Sequence, residues 1–437
     1  MIRKLLASLL TLSMLLVLLV AVGVDAGKKV VIEYWHPYGP PWDELQQMMA
    51  DLFMKANPDV EIVCKMVPWD SMFQKLAVAV ASGTAPAAAH LWGSWQAIAV
   101  ADMGLTVPLD PYMKKDPTWD PKDVFPAFLE QFHYKGQYVG LPWAAQPTSL
   151  CWNKQVFRES GLDPELPPKS LEELEAYASK ITLEDSRGKL VRIGFLPQNI
   201  WGGFLNWAYH WGGSFYDEKT GKITASDPVN VQALEWQVNF LNKFGGIEEI
   251  TAWQAGFTGG ENDPFILGKL GMMIASHYHY YSFHRYKPDL EYGFARPLLP
   301  GPPDRKKGPL AHCDAMVVLK SKNAEYGYKF IKFAVMGEAW LERSKISAHP
   351  SPSRRLNKRF IELGLLPKWY PMALWEQNME VLEIARPHPA IPVIPKLMDE
   401  LSAQVDLAYR GKKTPRSALK YVDEVVQREL DKNLKKR

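Results

Sequence analysis

Aromatic side chains carry the most informative chemistry in this sequence. Its 437 residues include 16 tryptophans and 18 tyrosines, and such rings can stack on the apolar face of a sugar while an N–H or O–H reaches a hydroxyl. A cleft lined by rings and few charges suits a neutral saccharide. Trp35, Trp92, Trp95, Trp143, Trp201, Tyr278 and Tyr280 fall in loops at the ends of predicted strands. Polar side chains beside these segments, His36, Ser94, Gln96, Gln146, Asn199, Asp314 and Arg386, are candidates to hydrogen-bond hydroxyls; losing one buried partner costs about 1–3 kcal/mol. For each ring the competing assignment is core or surface packing, and for each polar group ordinary loop capping.

Other chemistries have less to stand on. His277-Tyr278-His279 would place two imidazoles on one face of a strand, the beginning of a zinc site, but only His284 offers itself as a third ligand, and no metal is expected. A glycosidase needs two carboxylates flanking the scissile bond, and no motif nominates a pair. A Gly-x-Ser-x-Gly elbow, a His-Glu-x-x-His helix and a phosphate loop are all missing. The expectation is therefore a binder without turnover and without a cofactor. A secreted carbohydrate-active enzyme stays open as an alternative of another class. So does a binder of glycerol phosphate or another charged solute, which would need an Arg/Lys pair converging on the ligand.

Length and composition bound what could position these groups. A chain of 437 residues exceeds one ordinary core, so two lobes are expected. Composition is globular, with 47% hydrophobic and 23% charged residues. A formal charge of only +3 gives no reason to expect nucleic acid or an anionic membrane as the main partner. Arg3 and Lys4, the apolar run Leu5–Val24 and Val24-Asp25-Ala26 read as a signal peptide over residues 1–26, cleaved after Ala26, with an uncleaved anchor as the alternative. Cys64, Cys151 and Cys313 are widely spaced among apolar or aromatic residues and read as buried small hydrophobes.

Periodicity supplies the elements. A strand over 29–34, a helix over 42–56 ending before Pro58, a strand over 61–67 and a helix opened by Asp70 make a β-α-β-α start, which predicts a mainly parallel sheet with ligands at the carboxyl ends of its strands. Ser170 with Glu173, Asp227-Pro228 and Thr414-Pro415 open further helices. Ile193–Leu196, Gly271–Ala275 and Ala315–Leu319 read as buried strands, and Leu298–Gly308 as a loop or lobe crossing.

Ordered segments then make the chain resemble the family 1 extracellular solute-binding proteins, the maltose-binding-protein-like group of ABC importers. They are Ile32-Glu33-Tyr34-Trp35-His36, Ala56-Asn57-Pro58-Asp59-Val60-Glu61-Ile62, Ala81-Ser82-Gly83-Thr84-Ala85-Pro86, Leu91-Trp92-Gly93-Ser94-Trp95, Gly136-Gln137-Tyr138-Val139-Gly140-Leu141-Pro142, Trp152-Asn153-Lys154, Trp211-Gly212-Gly213 and Gly268-Lys269-Leu270-Gly271-Met272. The resemblance implies an α/β, two-lobed periplasmic-binding-protein fold, with the ligand cleft between lobes joined by a three-crossing hinge. The first lobe would be 27–143 plus 298–345 and the second 144–297 plus 346–437, with crossings at Pro142, Leu298–Gly308 and Ser344–His349. It further implies an exported monomer, in the periplasm or otherwise extracytoplasmic, that hands a carbohydrate to a membrane permease. By the same resemblance the aromatics named above border the cleft, and Arg386, before Pro387-His388-Pro389, approaches it. One departure is Ala87, which stands where the family usually has an acidic residue after the proline.

Overall fold

A computed structural model describes residues 29–39, 42–200 and 202–435. The predicted signal peptide and Trp201 lie outside the described residues. Strands β1 (Val30–His36), β2 (Val60–Met66) and β3 (Ala88–Leu91) alternate with helices α1 (Trp42–Ala56), α2 (Trp69–Ala81) and α3 (Ser94–Asp102). The chain then enters β4 (Leu141–Trp143) and β5 (Thr148–Asn153), followed by β6 (Leu183–Glu184), β7 (Leu190–Phe195), helix α4 (Gly203–His210), β8 (Leu270–Ser276), α5 (His277–Tyr286) and β9 (Tyr292–Ala295). It returns through β10 (Asp314–Val318) to α6 (Ala324–Met336) and α7 (Glu338–Ser347), and closes with α8 (Ile394–Tyr409) and α9 (Pro415–Lys435).

Two five-stranded sheets result, in the orders β2-β1-β3-β10-β4 and β9-β5-β8-β7-β6. Each is the centre of one lobe. The sheets are mixed rather than mainly parallel. β1 runs parallel to β2 and β3, but β10 is antiparallel to both β3 and β4. In the second sheet only β8 and β7 run parallel. The physical reason is the hinge: β10 enters its sheet from the other lobe, against the direction of the β-α-β strands.

The two lobes exchange chain at three adjacent places. Ala145 N–H donates to the Pro350 carbonyl at 3.0 Å, and Gln146 N–H to the His312 carbonyl at 2.9 Å, which ties all three passages together. A Cβ on Gly301 would lie 2.3 Å from the Trp211 carbonyl and one on Gly308 2.0 Å from the Ile384 carbonyl, so 298–308 is pressed onto the second lobe.

The local signals fare unevenly. The Asp227 carboxylate accepts from Val229 N–H at 2.9 Å, and Ser170 Oγ from Glu173 N–H at 3.2 Å, so both cap as their sequences indicate. Asp70 does not cap: α2 begins one residue earlier, after Pro68. Among the described residues no helix is long and apolar enough to cross a membrane.

Candidate functional site

The carboxyl ends of strands put side chains where no sheet hydrogen bonding holds them. In the first lobe Tyr38 follows β1, Trp69 follows β2, Trp92 follows β3 and Trp143 ends β4. Asp314 begins β10, whose antiparallel register pairs it with Trp143, so it arrives at the same edge. In the second lobe β8 ends at Ser276, and His277 and Tyr278 begin α5. Gly93 makes the turn after β3 with φ of 83°, and a Cβ there would meet the Trp95 ring at 2.9 Å.

These groups converge on a cavity of about 360 Å³ between the lobes, within the size range of small-molecule sites. Its walls include Tyr38, Trp42, Trp69, Trp92 and Trp143 from the first lobe, Tyr278 from the second, and Gln146 and His349 from the crossings. Trp92 and Tyr278 are 43% and 40% exposed, so each ring keeps open surface on the cavity beside its contacts with neighbouring rings. The first-lobe rings lean on one another: Tyr38 meets Trp69 edge to face at 5.6 Å, and Trp69 meets Trp92 in a tilted contact at 6.0 Å.

Beneath the rings lies a polar floor. The Tyr38 hydroxyl donates to Asp314 Oδ2, and His90 Nε2 stands 3.3 Å from the same oxygen. Tyr34 donates to Gln46 Oε1 at 2.7 Å. Burial and the Asp314 charge hold the Tyr38 hydroxyl well above the usual tyrosine range. Burial likewise holds His90, His277 and His349 below the ordinary imidazole value, so these rings are neutral. Arg343, fully buried on α7, lies with its guanidinium carbon 4.1 Å from the centroid of the Trp143 ring.

A family model described as bacterial extracellular solute-binding protein matches residues 48–354. The chain belongs to this family. A Brucella abortus (strain 2308) relative is 26% identical over 413 residues, 92% of this chain and 93% of its own length. The maltotriose-binding protein of Pyrococcus abyssi is 29% identical over 209 residues, covering 48% of this chain and 42% of that one. Among solved structures, a protein titled CpMnBP1 with mannobiose bound superposes with a TM-score of 0.77 at 27% identity, over 91% of this chain and all of the other. A Listeria monocytogenes substrate-binding protein in complex with cycloalternan gives 0.75 at 22% identity, over 92% and 99%, which speaks for the fold alone.

Within the binding protein, five of the residues singled out from sequence stand together on the cavity: Trp92, Trp143, Gln146, Tyr278 and Asp314. Others stand elsewhere. Trp35 alternates with Tyr34 and turns to the opposite face of β1, where its indole N–H donates to Glu33 at 2.7 Å and Lys65 lies over its ring. His36 is buried behind the cavity, and burial lowers it to about 4. The Ser94 hydroxyl is committed to Gln131 at 2.9 Å, and Gln96 accepts from the Trp92 N–H at 2.7 Å. Trp95 packs behind Trp92. Tyr280 is 1% exposed, packed against Phe283 and Tyr292.

Arg386 is also away from the cavity of the binding protein. Its Nη1 donates to the Gly213 carbonyl at 2.6 Å, its guanidinium covers Tyr209, and its backbone pairs with Pro309 and Ala311, so it pins the second crossing. The two imidazoles of His277-Tyr278-His279 diverge because the segment is helical: His277 packs on His349, while His279 accepts from Ser276 N–H at 3.0 Å as a cap. Ala87 is buried, with its carbonyl against Gly327 and accepting from Leu319 N–H, so a carboxylate there would be desolvated.

Sequence reasoning passed over Tyr38, Trp42, Trp69, Arg343 and His349. Trp69 and Tyr38 carried the same signal as Trp92, an aromatic residue just past a strand. Arg343 had none, since nothing local tells that a helical arginine faces inward.

Proposed function

We propose that this solute-binding protein captures a carbohydrate, a mono- or oligosaccharide, between its lobes and delivers it to the permease of an ABC importer. The observation that carries this reading is Trp92 and Tyr278 presenting half-exposed rings to one cavity from opposite lobes. A ligand held by both lobes favours the closed arrangement by its differential contacts, which is what a transporter can sense. The likeness to a protein with mannobiose bound and to a maltotriose-binding protein supports a saccharide.

The protein acts as a monomer, without turnover and without nucleic acid, after export to the periplasm or an equivalent extracytoplasmic space by a signal peptide cleaved after Ala26. A thermal-shift screen with mannobiose, mannotriose, maltotriose, amino acids and glycerol 3-phosphate, followed by calorimetry, tests it, because a ligand that binds only the native state raises Tm. One-site saccharide binding with the sugar recovered intact after long incubation is expected. Cleaved product would make it an enzyme, and a hit with amino acids alone would remove the carbohydrate assignment.

A further inference from the structure

Arg343 is at odds with a site built only for neutral sugar. Its side chain is 0% exposed, yet Nε, Nη1 and Nη2 have no hydrogen-bond partner among the described residues. It forms no ion pair within the described residues either, although it lines the interlobe cavity. A buried guanidinium left without acceptors is strongly disfavoured unless something else supplies them.

The contacts show which part is left without a partner. The guanidinium carbon lies 4.1 Å from the centroid of the Trp143 ring, a cation–π contact that satisfies none of the N–H groups along the guanidinium edge. That edge is the planar fork which meets carboxylate or phosphate oxygens two at a time. The acidic group sharing the cavity floor, Asp314, is already engaged by the Tyr38 hydroxyl and by His90. The other groups beside it, His277 and His349, are neutral. Burial pushes the guanidinium down to about 9, against the opposing pull of Tyr38 and Asp314, so its charge is under-compensated though still present at neutral pH.

We propose that Arg343 is the anion-accepting end of the cleft, so that the captured saccharide carries one acidic group, a carboxylate or a phosphate, set against the guanidinium edge while its ring lies among Trp69, Trp92 and Tyr278. This rests on the carbohydrate reading above and narrows it to acidic sugars.

The test uses matched ligands on the full-length mature protein. Calorimetry compares a uronic acid disaccharide with its methyl ester and with the neutral parent disaccharide, and, in a second arm, an aldose phosphate with the free aldose. The acid form is expected to bind about 10- to 100-fold more tightly than its ester or neutral parent, the increment of a charge-assisted pair; whichever arm shows the increment identifies carboxylate or phosphate. Arg343→Gln should abolish that preference. Because a buried substitution can impair folding, the wild-type acid-against-ester comparison decides on its own. Equal or weaker binding of the acids in both arms overturns the proposal even when neutral sugars bind. Absence of binding by every saccharide, acidic or neutral, overturns the carbohydrate reading itself.

Discussion

Trp42 of α1 and Tyr278 of α5 are in ring contact across the cleft, with centroids 5.8 Å apart, and Trp42 also meets Tyr281 at 5.3 Å. These contacts join helices on different lobes, so they exist only while the lobes are together. Each aromatic pair is worth about 0.5–1.5 kcal/mol. Trp42→Ala should raise the open population in the presence of ligand and weaken binding about 2- to 12-fold per lost pair. Small-angle scattering with and without ligand checks it; an unchanged radius of gyration in both states would show that the rings do not hold the closed form.

Trp92→Ala and Tyr278→Ala should each weaken saccharide binding without lowering the Tm of the unliganded protein. Both rings are half-exposed, so truncation leaves no closed cavity in the core. Stacking accounts for about 0.5–1.5 kcal/mol each beyond the burial of ring surface. Lowered stability with unaltered affinity would make them structural.

Asp314 separates acceptor chemistry from charge. Asp314→Ala leaves the buried Tyr38 hydroxyl without its acceptor, at a cost of about 1–3 kcal/mol in urea unfolding. Asp314→Asn keeps a carbonyl oxygen in place and should retain most of that stability. Equal loss in the two variants would mean that the charge, not the hydrogen bond, is what the floor requires.

Acid should destabilise the fold before carboxylates titrate. Burial holds His36, His210 and His279 at about 4 and His388 at about 3. The unfolded chain takes up these protons near pH 6.5 while the native chain does not, so stability is complete above that value and falls as pH decreases below it. Each group contributes a slope of about 1.4 kcal/mol per pH unit in that window. Tm measured from pH 7.5 to 4.5 should stay level and then drop steeply below 6.5; a flat profile down to pH 5 would contradict neutral buried imidazoles.

Protein recovered from outside the cytoplasmic membrane should begin at Gly27. Amino-terminal sequencing that returned Met1 would mean the leader is kept as an anchor.

What the sequence settled by itself was local. Apolar periodicity marked α1 and the buried strands β7, β8 and β10, because a helix face or a strand embedded in a sheet imposes its own spacing on a few consecutive residues. Aromatics past strand ends pointed to the cleft edge, and Trp92, Trp143 and Tyr278 stand there. Tertiary structure decided the rest, through facts that spacing cannot carry. Strand alternation turned Trp35 to the opposite face of β1 from Tyr34, and a helix where a strand was expected separated His277 from His279. The entry of β10 from the other lobe made the first sheet mixed. Above all, only the packing of α7 beneath Trp143 brought Arg343 into the cavity, because the solvation of a charged side chain depends on which distant segments close over it, and those include Tyr38, about three hundred positions away in the chain.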